Sequence, residues 1–219
     1  MDNFLKAIHE NDEAVNVLAE WGFTLPKSTL TVEGRTMAAP KLTFGSGYEE
    51  VVNERGDWNR TATNKPVLKC VPLKKWTLIF PSKDERVAKS FIDSMIQQSP
   101  RMGLNCVKPN VVALDIDNVS KYVEAVKKID VDENQIVVTL FSGPMRADRY
   151  SAMKKLCYVD LGIQSQVVMT KTLANERRMQ SVVQKIALQI NCKLGGESWG
   201  CQIPAKLGTI MFVGIDIYK

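Results

Sequence analysis

Apolar and polar positions change rhythm along the chain. In residues 2–22, Phe4, Leu5, Ile8, Val15, Val17, Leu18 and Trp21 recur at a mostly helical spacing that ends at Gly22, which predicts a helix or a helix pair. From 24 to 66 the rhythm is lost among Gly, Pro, Asn and Thr, with 30–32 and 42–44 as short strand candidates. So few apolar side chains cannot close a core of their own, and the stretch reads as an extended linker.

After Pro72 short apolar runs alternate with amphipathic ones. Residues 76–80 predict a strand. Pro81-Ser82 then opens a helix carrying Val87, Phe91, Met95 and Ile96, which Pro100 and Gly103 stop. A strand falls within 106–116, and Ser120 caps a helix with Tyr122, Val123, Val126 and Ile129. The strongest strand is 135–141, a nearly continuous apolar run suited to a sheet covered on both faces. A loop at 142–147 and a helix at 148–157 follow, then a strand at 166–169 and a long helix at 174–191. That helix bears one stripe of Met179, Val182, Val183, Ile186, Ala187 and Ile190. The alternation predicts an α/β, Rossmann-like domain with a central, mostly parallel sheet flanked by helices. Such sheets bind ligands at the carboxyl ends of their strands. A last apolar segment, 209–217, lies beyond Gly195-Gly196 and Pro204 with no helix behind it, and reads as a chain cut just inside the next domain.

Composition narrows the classes. At 219 residues there is room for one full domain and part of a second. Hydrophobic residues are 45% and charged ones 24%, and no apolar run approaches the ~20 residues of a membrane span, so no membrane partner is expected. The polar, amphipathic start is no signal peptide, which makes the cytosol or nucleus the expected compartment. Five well-separated cysteines, an odd number, read as reduced and mostly buried thiols. With His9 the only histidine, His-dependent triads and most zinc sites lack their raw material. The net charge of +5 is modest for a nucleic-acid binder, so the placement of the cations decides.

The candidate chemistry begins where the strongest strand ends. Ser142, Gly143, Pro144, Met145 and Arg146 form a loop running into a helix, a junction whose backbone amides favour an anion. On that helix Tyr150 and Lys154 share a face. Gln166 opens the next strand, and Gln189 and Lys193 lie one turn apart at the end of the long helix. Taken singly, Tyr150 and Lys154 read equally as an ordinary exposed pair, and Gln189 and Lys193 read better as a solvated polar face capped by Gly195. Together, an aromatic hydroxyl, two lysines and two amides suit a terminal phosphate and a stacked base. Asp115 and Asp117, alternate carboxylates at a strand end, read as solvated and not as a metal pair.

The run Arg146-Ala-Asp-Arg-Tyr150-Ser-Ala-Met-Lys154-Lys155, then Ser165-Gln166-Val-Val, then Lys185-Ile-Ala-Leu-Gln189-Ile-Asn191-Cys-Lys193-Leu-Gly-Gly196 resembles the MID signature of Piwi-clade Argonaute proteins. The family pattern is a Tyr, a Lys four residues on, a Gln twelve beyond that, and a Lys in an Asn-x-Lys-Leu-Gly-Gly run; Tyr150, Lys154, Gln166 and Lys193 match it. The resemblance implies that these residues hold the 5′-monophosphate of a single-stranded small guide RNA, piRNA-like, with Tyr150 stacking on its first base. Gln189 stands where the Argonaute branch has another Lys and the Piwi branch has Gln. The resemblance therefore implies a bound Mg²⁺ with Gln166 as its protein contact. It also implies a first-uridine preference set by the backbone of Ser142–Arg146, although Gly143-Pro144 departs from the polar residues common there. Residues 1–67 are then similar to the second linker, 68–200 to the MID domain and 201–219 to the opening of the PIWI domain. Asp216 resembles the first slicer aspartate; without the remaining carboxylates, and without a PAZ domain, no cleavage is expected of this chain. The implied place is the cytoplasm, germ granules or nucleus. The rival readings are an α/β enzyme for a free mononucleotide, which needs a general base or nucleophile not evident near the loop, and a folded interaction fragment that holds no RNA.

Overall fold

The helical spacing at the start of the chain resolves into two short helices, Asp2–His9 (α1) and Asp12–Glu20 (α2). Asn11 separates them, and its side chain accepts from the Ala14 amide at 3.1 Å, capping α2. The computed structural model describes residues 2–34, 36, 38–202, 209, 211, 213 and 214. Met1–Ala38 forms one unit, and among its described residues only Leu5 is buried. No strand forms at 30–32, where Leu30 and Val32 are exposed: without a paired neighbour a β-rich triplet stays unstructured.

Ala39–Lys219 forms the other unit. Its first part, expected as a linker, is packed. Lys41–Thr43 (β1) and Glu49–Val51 (β2) make an antiparallel pair, and Asn59–Ala62 (α3) follows. Leu42, Phe44, Val52, Ala62 and Val67 need no core of their own because they join that of the domain behind them.

That domain is built on four parallel strands, Trp76–Pro81 (β3), Asn110–Leu114 (β4), Ile136–Phe141 (β5) and Gln164–Met169 (β6), in the order β4-β3-β5-β6. The central β3 and β5 are buried at every position, as their continuous apolar runs require. Alternate residues serve opposite faces. Leu78, Phe80, Val138 and Leu140 meet Glu85–Gln98 (α4) and, behind a short helix at Thr170–Leu173, Glu176–Lys193; Ile79, Val137 and Phe141 meet Val119–Lys127 and Ala147–Lys154. In chain order these helices are α5 (Val119–Lys127), α6 (Ala147–Lys154), α7 (Thr170–Leu173) and α8 (Glu176–Lys193). Each fully buried Leu, Ile or Phe here contributes about 1.5–3 kcal/mol. The last strand among the described residues, Gly200–Cys201 (β7), pairs with β1 and is too short for any sequence pattern to betray.

Several boundaries shift for local reasons. Asn118, and not Ser120, caps α5: its side chain accepts from the Lys121 amide at 2.9 Å, while Ser120 donates to it. The helix expected at 148–157 ends as an α-helix at Lys154 and continues as a π-helical turn, Lys155–Asp160. The thiols are free, but only Cys157 is buried; Cys192 and Cys201 are exposed, since both sit at the ends of elements and not on an apolar stripe. Most of 209–217, Asp216 included, lies outside the described residues. Among those residues, no helix is long and apolar enough to cross a membrane.

Candidate functional site

Crossover helices run back against their strands. The last turns of α6 and α8 therefore arrive together at the beginning of β6. Lys154 closes α6 and donates to Ser165 at its carbonyl (3.0 Å) and its hydroxyl (2.9 Å). Lys193 closes α8 and donates to the same carbonyl at 2.7 Å and to Gln166 Oε1 at 2.7 Å. Gln166 Nε2 donates in turn to Gln189 Oε1 at 3.3 Å. Lys193 sits at a helix carboxyl end, where the backbone dipole favours a cation, while Lys154 stands where α6 passes into the π turn.

Two ammonium groups thus share one carbonyl, and among the described residues neither has a carboxylate partner. The environment records that imbalance. Burial and the neighbouring Lys154 charge hold Lys193 below the ordinary lysine pKa, with Tyr158 pulling the other way. Burial pushes the Tyr158 phenol up, but the charges of Lys154 and Lys193, with hydrogen bonds from Ser165 and Lys154, outweigh it and leave the phenol below its usual value. Both shifts describe a spot that favours added negative charge.

Tyr158 was not singled out by the sequence. Its hydroxyl donates to the Ser165 carbonyl at 3.3 Å, and the Lys154 ammonium lies 4.7 Å from its ring centre. The signal was present: Tyr150, Lys154 and Tyr158 follow at four-residue steps. The π-helical turn carries Tyr158 onto the lysine cluster; single π turns recur at functional sites. Tyr150, 39% exposed, offers an open ring 5.5 Å from Lys154.

The structure brings Lys154, Gln166, Gln189 and Lys193 together with Tyr150 beside them. The loop Ser142–Arg146 stands apart, at the opposite end of α6 and about 10 Å along the helix axis. The lysine cluster does not lie at the carboxyl ends of the strands, where the sheet type alone would put a ligand. Gln166 is near the start of β6, because the lysines are carried on the returning ends of helices. The carboxyl ends of β3 and β5 are occupied by an ion pair instead. Asp117, expected as solvated, accepts from Arg149 at 2.7 Å and from Lys83 at 3.0 Å. Among the described residues no metal-binding cluster of His, Cys, Asp or Glu is present.

The Asn-x-Lys-Leu-Gly-Gly run divides its labour. Asn191 is buried and turned away from the lysines: it accepts from the Val71 amide at 2.9 Å and donates to the Lys69 carbonyl at 3.0 Å. A side chain at Gly196 would collide with the Asn191 amide. On the far side of Gln189, a groove of about 400 Å³ opens between α8 and residues 56–62, walled by Trp58, Trp199 and Leu188.

Fold and site together define a three-layer α/β domain with an unbalanced cationic cluster on the edge of its sheet. The Piwi domain family matches residues 135–219. Over 215 residues, 98% of its length, the chain is 35% identical to Piwi-like protein Ago3 of Bombyx mori and covers 23% of that protein. It superposes on the crystal structure of Drosophila Piwi with a TM-score of 0.74 and 30% identity, covering 93% of this chain and 28% of that one. Kluyveromyces polysporus Argonaute, solved with a guide RNA, shares the fold at a TM-score of 0.62 and 12% identity, over 77% of this chain and 22% of that one. The chain belongs to the Piwi-clade Argonaute family. It spans about a quarter of the length of the curated relatives it matches.

Proposed function

We propose that this chain binds the 5′-monophosphate end of a small guide RNA. The observation that carries the proposal is the pair of ammonium groups of Lys154 and Lys193 converging on the Ser165 carbonyl without a carboxylate among the described residues. A phosphate approaching that point meets two charges and the Tyr158 hydroxyl. Its oxygens accept charge-assisted hydrogen bonds in place of the ones now spent on Ser165. The first base then reaches Tyr150, whose exposed ring gives a stacking face, and its edge reaches the Ser142–Arg146 loop further along α6. The guide RNA held by Kluyveromyces polysporus Argonaute, a protein of the same fold, supports the choice of ligand.

Titrating labelled protein with uridine 5′-monophosphate is expected to shift the amide resonances of Ser165, Gln166 and Lys193. Uridine alone should leave them in place. Equal shifts from both compounds would remove the phosphate from this site.

Magnesium fits the donor set only in company with the phosphate. The amide oxygens of Gln166 and Gln189 are hard ligands but neutral, and two ammonium groups stand beside them, so the ligand has to supply the negative charge. Within the proposal, Gln166 and Gln189 would hold the ion and it would supply positive charge against the phosphate. Gln189→Lys places a cation at that point directly. Its affinity for 5′-phosphorylated RNA in EDTA is expected to approach the wild-type value in Mg²⁺, and an unchanged dependence on the ion would contradict the assignment.

A further inference from the structure

We propose that Arg149 and Asp117 form a buried clamp that fixes the Ser142–Arg146 loop and so determines which first nucleotide the site accepts. This rests on the reading of that loop as the neighbour of the first base. Arg149 is 3% exposed although it lies one residue from the open ring of Tyr150. One arm of its guanidinium donates to Asp117 Oδ1 at 2.7 Å and the other to the Ser142 carbonyl at 2.9 Å. The group lies 4.3 Å from the centre of the Phe141 ring, and Tyr122 packs edge-on against that ring. Asp117 is anchored in turn by Lys83 at 3.0 Å and the Tyr122 hydroxyl at 3.4 Å. Loops that follow β3, β4 and β5 are thereby tied at one carboxylate.

An apolar side chain could fill this volume without the desolvation that a buried guanidinium imposes. Its Nε is buried without a partner, so the arrangement is not the one that stability alone favours. What the charge supplies is direction. The peptide after Ser142 is trans, so holding its carbonyl inward turns the Gly143 N–H outward, and Gly143 takes φ +71° to leave the strand. At the outer end of the loop Arg146 makes an exposed ion pair with Asp148, donating at 2.7 Å and 3.2 Å. Gly143, Pro144 and Met145 are exposed beyond Ser142, and a base edge read by their backbone depends on how the inner end of the loop is held. Arg149 and Asp117 are positioning residues that touch no ligand themselves.

The test measures affinities of the full chain and of Arg149→Lys and Asp117→Asn for four 5′-phosphorylated RNAs that differ only in the first nucleotide, with a 5′-hydroxyl control. Arg149→Lys keeps the charge and loses the second arm; Asp117→Asn keeps the shape and loses the charge. Wild type is expected to spread the four affinities by roughly fivefold to tenfold, the size of one hydrogen bond. In both variants the spread should shrink to about twofold while the preference for phosphate over hydroxyl stays within about twofold of wild type. An unchanged spread, an equal loss for all four RNAs, or no spread in wild type overturns the clamp. So does loss of the native circular dichroism spectrum in both variants, which assigns the pair to folding. Failure of wild type to distinguish phosphate from hydroxyl is a different result: it removes the phosphate reading on which the clamp rests.

Discussion

Replacing both Lys154 and Lys193 with alanine is expected to lower affinity for a 5′-phosphorylated RNA by on the order of 10²–10⁴, since each charge-assisted hydrogen bond is worth ~1.5–3 kcal/mol. The fold should survive. Each lysine is half-buried and donates to the buried Ser165 or Gln166, Lys154 also to the Tyr158 hydroxyl, so the double variant loses about 1–3 kcal/mol for each acceptor left unpaired but no apolar core. Removing one phosphate contact should also reduce the slope of log affinity against log salt by ~0.7 on a single strand. A double variant with wild-type affinity or slope would place the RNA elsewhere. The pH dependence has a definite sign. Lys193 is held below its ordinary value of 10.5, and bound phosphate would raise it again. Affinity should therefore fall as pH rises through the depressed value. The stability of the free fold should rise over that same window up to 10.5, because the unfolded chain still holds a proton that the fold disfavours. Tyr158, whose phenol is also held low, adds to the loss of affinity by becoming an anion beside the phosphate.

Asn191→Ala is expected to cost about 2–3 kcal/mol of stability, through two hydrogen bonds that tie residues 69–71 to the last turn of α8. The Val71 amide is left without an acceptor in a half-buried place, while the exposed Lys69 carbonyl turns to water. Gly196→Ala should act in the same direction, since its methyl group and the Asn191 amide cannot occupy the same space. Urea unfolding followed by circular dichroism measures both. A change below about 0.5 kcal/mol, as for an ordinary surface substitution, would show that Asn191 is not the tie.

That residue also marks how far the sequence could be read. The continuous apolar runs at 76–80 and 135–141 are central strands because only a sheet covered on both faces accommodates such runs. The stripe from Met179 to Ile190 is the buried face of α8 for the same reason. Residues 39–67 were hidden because their few apolar side chains are sufficient only when they join another segment's core. In the Asn-x-Lys-Leu-Gly-Gly run, spacing could not separate Lys193, which faces the cluster, from Asn191 and Gly196, which brace it. Asp117 read as solvated because its partner, Arg149, is 32 residues away in sequence. The convergence of Lys154 and Lys193 on Ser165 is a tertiary fact of the same kind, and the four-residue step to Tyr158 acquires meaning only once the π turn places it.

The most direct measurement is fluorescence polarisation of the full chain with a short RNA carrying a 5′-monophosphate and with its 5′-hydroxyl twin, in Mg²⁺ and at fixed salt. Two lysines without a carboxylate partner among the described residues predict that the phosphorylated RNA binds tighter by at least about tenfold, the value of one charge-assisted hydrogen bond. Equal affinity for the two RNAs would contradict it.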